Sequence, residues 1–330
     1  MSKPTRKSGF PQKPTKNAKK SADSPPAEPG YNPAQEKGRF RAKKYKNMRP
    51  TRSRGTKAHS GLSAPVSPKK AGGRQSGGVN TSKYAPEGWI YGHHAAKAAL
   101  ENPKRTIHAI HASENMAAKL NLHEGQNHRG APVTLLHPSE IDKLLPGNAV
   151  HQGIAVHCAP LPSAHLDEIA SPAKGLILVL DQITDPHNVG AMFRLASAFA
   201  AKAVIMQDRH APPLAGATAK VAVGTMEAVP HVLVTNIANT LLSLQKSGWR
   251  VTGLAGEADV VLGGAFPMAE AEVLVVGAEG PGLRKRVRDC CDQLANIPMP
   301  GSMVYDTESL NVSTAAGIAL YEASRNLIQD

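Results

Sequence analysis

Apolar positions fall along this chain in three regimes. Residues 1–85 almost lack Val, Ile and Leu. From Trp89-Ile90-Tyr91-Gly92 onward, short apolar runs alternate with helical spacings. Residues 91–101 open a helix with Ala95, Ala96, Ala99 and Leu100 on one side; 107–110 read as a short strand and 116–122 as a second helix. A strand at 133–136, a helix from a Ser139 cap to Leu145, and a strand at 154–156 follow. Together they predict a small α/β domain over residues 86–160. Pro160, Pro162 and Pro172 mark a linker at 161–174.

The third regime starts at 175. Leu176-Ile177-Leu178-Val179-Leu180 is apolar throughout, as a strand buried on both faces of a parallel sheet should be. A helix at about 188–200, strands at 203–206 and 231–234, a helix near 237–247, and strands at 250–254 and 272–276 follow. An apolar helix at about 312–327 closes the pattern. Residues 175–330 therefore predict a parallel α/β domain, in which ligands gather at the carboxyl ends of strands.

Charge changes the picture only at the front. Residues 1–85 hold 21 Lys/Arg against 3 Asp/Glu, a net +18, while the remainder holds 18 against 23, a net −5. A segment so poor in apolar residues cannot offset its ordering entropy, which predicts a disordered basic tail. Its charge suits a sequence-independent arm for nucleic-acid phosphates; a solvated tail without a partner is the other reading. Pro4, Pro11 and Pro14 exclude the amphipathic helix of a transit peptide. No apolar run approaches the ~20 residues of a membrane span, and the N-terminus shows no secretory core. Cys158, Cys290 and Cys291 are too few for a disulfide framework and form no C-x-x-C pair, pointing to the cytoplasm and away from structural zinc. His93, His94, His151 and His187 lack metal-ligand spacing; His151-Gln152-Gly153 is a candidate RNA contact.

Candidate chemistry lies in three polar stretches just past apolar runs. The first is Asn188-Val189-Gly190 with Arg194, read as a glycine turn with the guanidinium on its face. The second is Gly277-Ala278-Glu279-Gly280-Pro281-Gly282-Leu283, whose glycines let a ligand lie against bare backbone. The third is Ser309-Leu310-Asn311-Val312-Ser313 at the mouth of the last helix, partly explained as helix capping. Neither a G-x-G-x-x-G dinucleotide fingerprint nor a G-K-[ST] phosphate loop is present, which removes the grounds for a nicotinamide-dependent dehydrogenase.

Read in order, with Ile297-Pro298-Met299 before the third, these stretches resemble the SpoU (TrmH) family of RNA ribose 2′-O-methyltransferases, in the SPOUT superfamily. The resemblance covers residues 175–325, and residues 89–158 look like the small substrate-binding domain of many members. It implies a deep trefoil knot and S-adenosylmethionine as cofactor at Gly277, Gly280, Ile297, Met299 and Leu310. It also implies a homodimer with the active site completed across the interface, and no metal. Arg194 would stand beside the attacked ribose; an Arg is a poor base, so it would first orient a phosphate or stabilise developing alkoxide, with proton acceptance as an extra role. Glu279 would position Arg194 or Asn188, and Ser309 and Asn311 would hydrogen-bond the ribose or Arg194. Two departures stand out: about four extra residues within 300–307, and Ala222 where members often carry serine. Structured RNA, rRNA before tRNA, is the implied substrate, with a non-catalytic knotted RNA-binding protein as the alternative.

Overall fold

The computed structural model describes residues 88–263, 269–301 and 309–325. The tail at 1–85 lies outside the described residues, as does the 300–307 stretch apart from Pro300 and Gly301. The first elements are β1 (Trp89–Tyr91), α1 (His93–Glu101), β2 (Ile107–Ala112), α2 (Glu114–Leu120), β3 (Asn127–His128), β4 (Ala131–Leu135), α3 (Pro138–Ile141) and β5 (Ile154–Cys158). Their strands form one sheet in the order β1-β5-β2-β4-β3, in which only β2 and β4 run parallel. Helix α3 is shorter than its sequence pattern implies and is capped by His137, whose Nδ1 accepts from Ser139 N, so Ser139 is not the cap. A 3₁₀ turn at Asp142–Leu144 continues it, because Pro146 and Gly147 follow.

The stretch expected as a plain linker carries α4 (Leu166–Ala170). Beyond it come β6 (Gly175–Asp181), α5 (Pro186–Ala198), β7 (Ala203–Gln207), α6 (Gly216–Ala222), α7 (Thr225–Ala228) and β8 (His231–Val234). These lead into α8 (Ile237–Lys246), β9 (Arg250–Leu254), β10 (Val260–Val261), β11 (Ala271–Gly277), α9 (Lys285–Arg288), β12 (Gln293–Asn296) and α10 (Val312–Ser324). The seven strands form an all-parallel sheet in the order β10-β12-β9-β11-β6-β7-β8.

Alternation within the central strands divides the core between two faces. Leu176, Leu178, Leu180, Leu274 and Val276 meet α5 and α10 through Val189, Phe193, Ala316 and Leu320. Ile177, Val179, Val273 and Val275 meet α4 and α8 through Ile169, Leu241 and Leu244. The linker is stitched to this body: Ala164 N donates to His231 O at 2.8 Å, Leu233 N to Ser163 Oγ at 3.0 Å, and Trp249 Nε1 to Ala170 O at 2.8 Å. It thereby covers the outer edge of β8, which would otherwise present unpaired backbone groups.

Candidate active site

Three neighbouring strands, β9, β11 and β12, deliver their carboxyl ends to one place, and the N-terminus of α10 closes it. Between them lies a cavity of about 360 Å³, within the range of small-molecule sites. Its walls are the ends of those strands and the loops after them: residues 254–257, 276–283 and 295–297, with Met299, Ser309, Leu310, Val312 and Ala315.

The glycine loop is shaped by its own backbone. Gly282 N donates to Ala278 O at 2.9 Å, folding the loop back so that a Cβ on Gly277 would collide with the backbone of Gly282 and Leu283. Gly280 and Gly282 adopt φ of 82° and 66°, the left-handed region glycine favours. The loop's exit is pinned by Asp181, fully buried at the end of β6 and opposite Gly277 in the sheet register. Its carboxylate accepts from Arg284 N at 3.0 Å, from Nε at 2.8 Å and from the terminal guanidinium nitrogen at 2.6 Å.

At the rim, Glu279 gathers two of the sequence motifs. Its Oε1 accepts from Asn311 Nδ2 at 2.7 Å, from Asn188 Nδ2 at 3.3 Å and from Val312 N at 3.3 Å. Asn311 Nδ2 also reaches Asn188 Oδ1 at 3.1 Å. A carboxylate at the start of α10 is favoured by the helix dipole. Asn311 caps that helix through Ser313 N at 2.9 Å and Thr314 N at 3.3 Å, so capping and network share one side chain.

Gly277, Glu279, Gly280, Ile297, Met299, Ser309 and Leu310 line the cavity, with Asn188 and Asn311 tied to it through Glu279. Arg194 is not brought there. It is exposed on α5, six residues or about 9 Å of helix rise beyond Asn188, and Glu279 contacts Asn188 and not Arg194. Nor is Asn188-Val189-Gly190 a turn: it lies within α5, which Asp185 caps by accepting from Asn188 N at 2.9 Å, with Pro186 in the first turn. Gly190 is a packing residue, since a Cβ there would sit 2.6 Å from Thr218 O and 2.8 Å from Val221 Cβ on α6.

Sequence reading missed the third wall. Leu254-Ala255-Gly256-Glu257 repeats the strand–glycine–glutamate pattern of the second motif, and Arg288 and Asn296 complete that side. Arg288 pairs with Glu257 and holds its carboxyl below the ordinary glutamate range, chiefly through their hydrogen bond. His151 proves internal: Nε2 lies 3.0 Å from Asp142 Oδ1 and Nδ1 accepts from Gly153 N at 3.0 Å. Among the described residues no cluster of three or more His, Cys, Asp or Glu side chains suits a metal ion, and no helix is long and apolar enough to cross a membrane.

Comparison with known proteins gives this architecture its class. Residues 175–321 match the SpoU rRNA Methylase family model, and residues 89–164 match that for RNA 2′-O ribose methyltransferase substrate binding. The 23S rRNA (guanosine-2′-O-)-methyltransferase RlmB of Pseudomonas syringae pv. tomato is 40% identical over 243 residues, covering 72% of this chain and 94% of the relative. That of Escherichia coli K12 is 39% identical over 246 residues, covering 72% and 97%. The SpoU methyltransferase AviRb of Streptomyces viridochromogenes, solved with AdoMet, shares the fold at a TM-score of 0.61 and 22% identity, over 73% of this chain and 90% of that one. The chain belongs to the SpoU rRNA methylase family. It is an RNA ribose 2′-O-methyltransferase that uses S-adenosylmethionine.

The cavity fits that cofactor. Leu254, Ile297 and Leu310 offer apolar surface for an adenine, and the side-chain-free backbone of the 277–282 loop lets a ligand approach closely. When bound, S-adenosylmethionine supplies an electrophilic methyl group. The protein's own part is to align a ribose hydroxyl and manage its proton.

Proposed function

We propose that the chain methylates the ribose 2′-hydroxyl of a guanosine in 23S rRNA. The Glu279 carboxylate that joins Asn188 and Asn311 at the mouth of the cavity supports this most directly, because it presents ordered hydrogen-bonding groups where a ribose would enter. The relatives named above act, by name, on 23S rRNA guanosine. In this reading Asn188, Glu279, Ser309 and Asn311 hold the ribose, and Gly277, Gly280, Ile297, Met299 and Leu310 hold the cofactor. Tritiated methyl transfer to an unmodified 23S rRNA transcript, followed by nuclease digestion, tests it: label should appear on a guanosine ribose. Label on a base refutes it, and so does methylation of a tRNA transcript in a parallel assay that leaves the 23S transcript unlabelled.

Arg194 completes the site from a second copy of the chain. Its distance from the Glu279 network within one chain supports this, as does the exposure of Ile318 and Tyr321 on the neighbouring α10. The homodimer then pairs across α5 and α10, a planar guanidinium facing the ribose from the other subunit. Mixing Arg194→Ala and Asn311→Ala proteins should restore activity to about a quarter of the wild-type value, since half the dimers carry one intact site. Mixtures that stay inactive refute the shared site. The C-terminal segment forms the family's trefoil knot, residues 1–85 serve as an RNA arm, and the enzyme works in the cytoplasm.

A further inference from the structure

The small module is seated on the catalytic body through a buried ion pair. Arg105, between α1 and β2, meets Glu227 of α7 with side chains 1% and 6% exposed. One guanidinium nitrogen lies 2.5 Å from Glu227 Oε1, and Nε lies 3.2 Å from it. The other terminal nitrogen donates to Ala159 O at 2.9 Å, and Asn102 Nδ2 donates to Glu227 Oε2 at 2.6 Å. Lys220 of α6 donates to Val150 O of the module as a second point of attachment. Between these points the bodies touch closely: a Cβ on Gly224 would lie 2.7 Å from Ala98 Cβ. Their apolar cores are continuous, Ile90, Ala99 and Leu100 sharing one cluster with Ala219, Ala222 and Met226.

A buried ion pair is a poor source of stability, because removing both charges from water offsets most of their attraction. Its geometry is nonetheless directional: a planar fork accepts a carboxylate in few orientations. What this pair can fix is attitude. The effect reaches the active site through α6 and α7, since α6 packs on Gly190 of α5 and α5 carries Asn188.

We propose that Arg105 and Glu227 are positioning residues for methyl transfer. They hold the RNA-binding module at one attitude to the cavity, so RNA is selected by the fixed spacing between the element the module grips and the target ribose. Neither residue touches RNA. The proposal rests on the reading of residues 89–164 as the substrate-binding module of an rRNA methyltransferase.

The test uses the full chain and an unmodified 23S rRNA transcript. Glu227→Gln breaks the pair but leaves the Arg105 charge buried, which can unfold the chain. Ala98→Leu is therefore the decisive variant: it keeps the pair's chemistry and a good helix former, and only wedges α1 from α7. In Ala98→Leu, kcat should fall at least about tenfold, while Kd for S-adenosylmethionine by calorimetry and for the transcript by filter binding stay within about threefold. Arg105→Lys, which keeps charge but not the fork, should lie between it and wild type. Wild-type kcat in either variant overturns the proposal, and so does a loss confined to RNA affinity. Wild-type protein that leaves the transcript unmethylated refutes the underlying reading instead.

Discussion

Glycines in the 277–283 loop look alike in sequence and differ in what surrounds them. Gly277 faces the backbone of Gly282 and Leu283, whereas a Cβ on Gly280 would meet nothing within 4 Å. Gly277→Ala should therefore force the loop open and abolish S-adenosylmethionine binding by calorimetry. Gly280→Ala should cost only the left-handed strain of about 1 kcal/mol and leave the loop folded back. A Gly277→Ala protein with wild-type affinity would contradict the folded-back loop. His231 is a residue-scale case of another kind. Burial is the main cause lowering its pKa from 6.5 to about 4, with the nearby Arg105 charge acting in the same direction and Glu227 opposing. The unfolded chain then binds a proton between pH 6.5 and 4 that the folded chain does not, so stability falls as pH drops through that window, by up to about 3 kcal/mol. Urea unfolding at pH 7 and at pH 4.5 should show this slope reduced in His231→Gln. An identical slope in both proteins would remove His231 as its source.

At the scale of elements, α5 is the helix on which the site depends. It carries Asn188, starts at the Asp185 cap and packs on α6 through the side-chain-free surface of Gly190. Asp185→Ala should cost about 1 kcal/mol of stability. Gly190→Ala should cost about 1–3 kcal/mol and weaken methyl transfer as well, because α5 must move off α6 and take Asn188 with it. Denaturant melts with parallel kinetics check both; Gly190→Ala with unchanged stability would show that the helices have room to separate. The turn after α6 holds Val223 at φ 54°, an uncommon conformation for a β-branched residue. Val223→Asn should raise stability by about 1 kcal/mol, Asn being at ease there. This turn, together with α6, α7 and α4, went unread in the sequence because each run is too short to show a helical period. The 277–283 loop and α10 were legible because their chemistry is local: glycines after an apolar strand, and a cap before an apolar helix.

For the whole molecule, charge and fold divide the labour. The +18 of residues 1–85 stands against a net −5 in the remainder, so most long-range attraction to RNA would come from the tail. Deleting residues 1–85 should leave S-adenosylmethionine affinity unchanged while weakening RNA binding and flattening its dependence on salt. An unchanged salt slope would show that the tail is not an RNA arm. The body then supplies orientation: an all-parallel sheet brings β9, β11 and β12 to one cavity, and the module is fixed beside it by Arg105 and Glu227.

Sequence alone determined what depends on neighbours along the chain. The fully apolar β6 and β11 announced a buried parallel sheet, the glycines of the 277–283 loop announced exposed backbone, and Asn311 announced a helix start. Tertiary structure decided what depends on distant partners. Asn188 and Asn311 come from distant segments, hydrogen-bond each other directly, and share the Glu279 carboxylate of a third. Gly190 became a packing surface and not a turn because α6 lies against it, and Arg194 left the cavity because α5 continues as helix past Gly190. Local propensity is written in a few adjacent residues, whereas packing and ion pairing are set by segments distant along the chain, which no local pattern records.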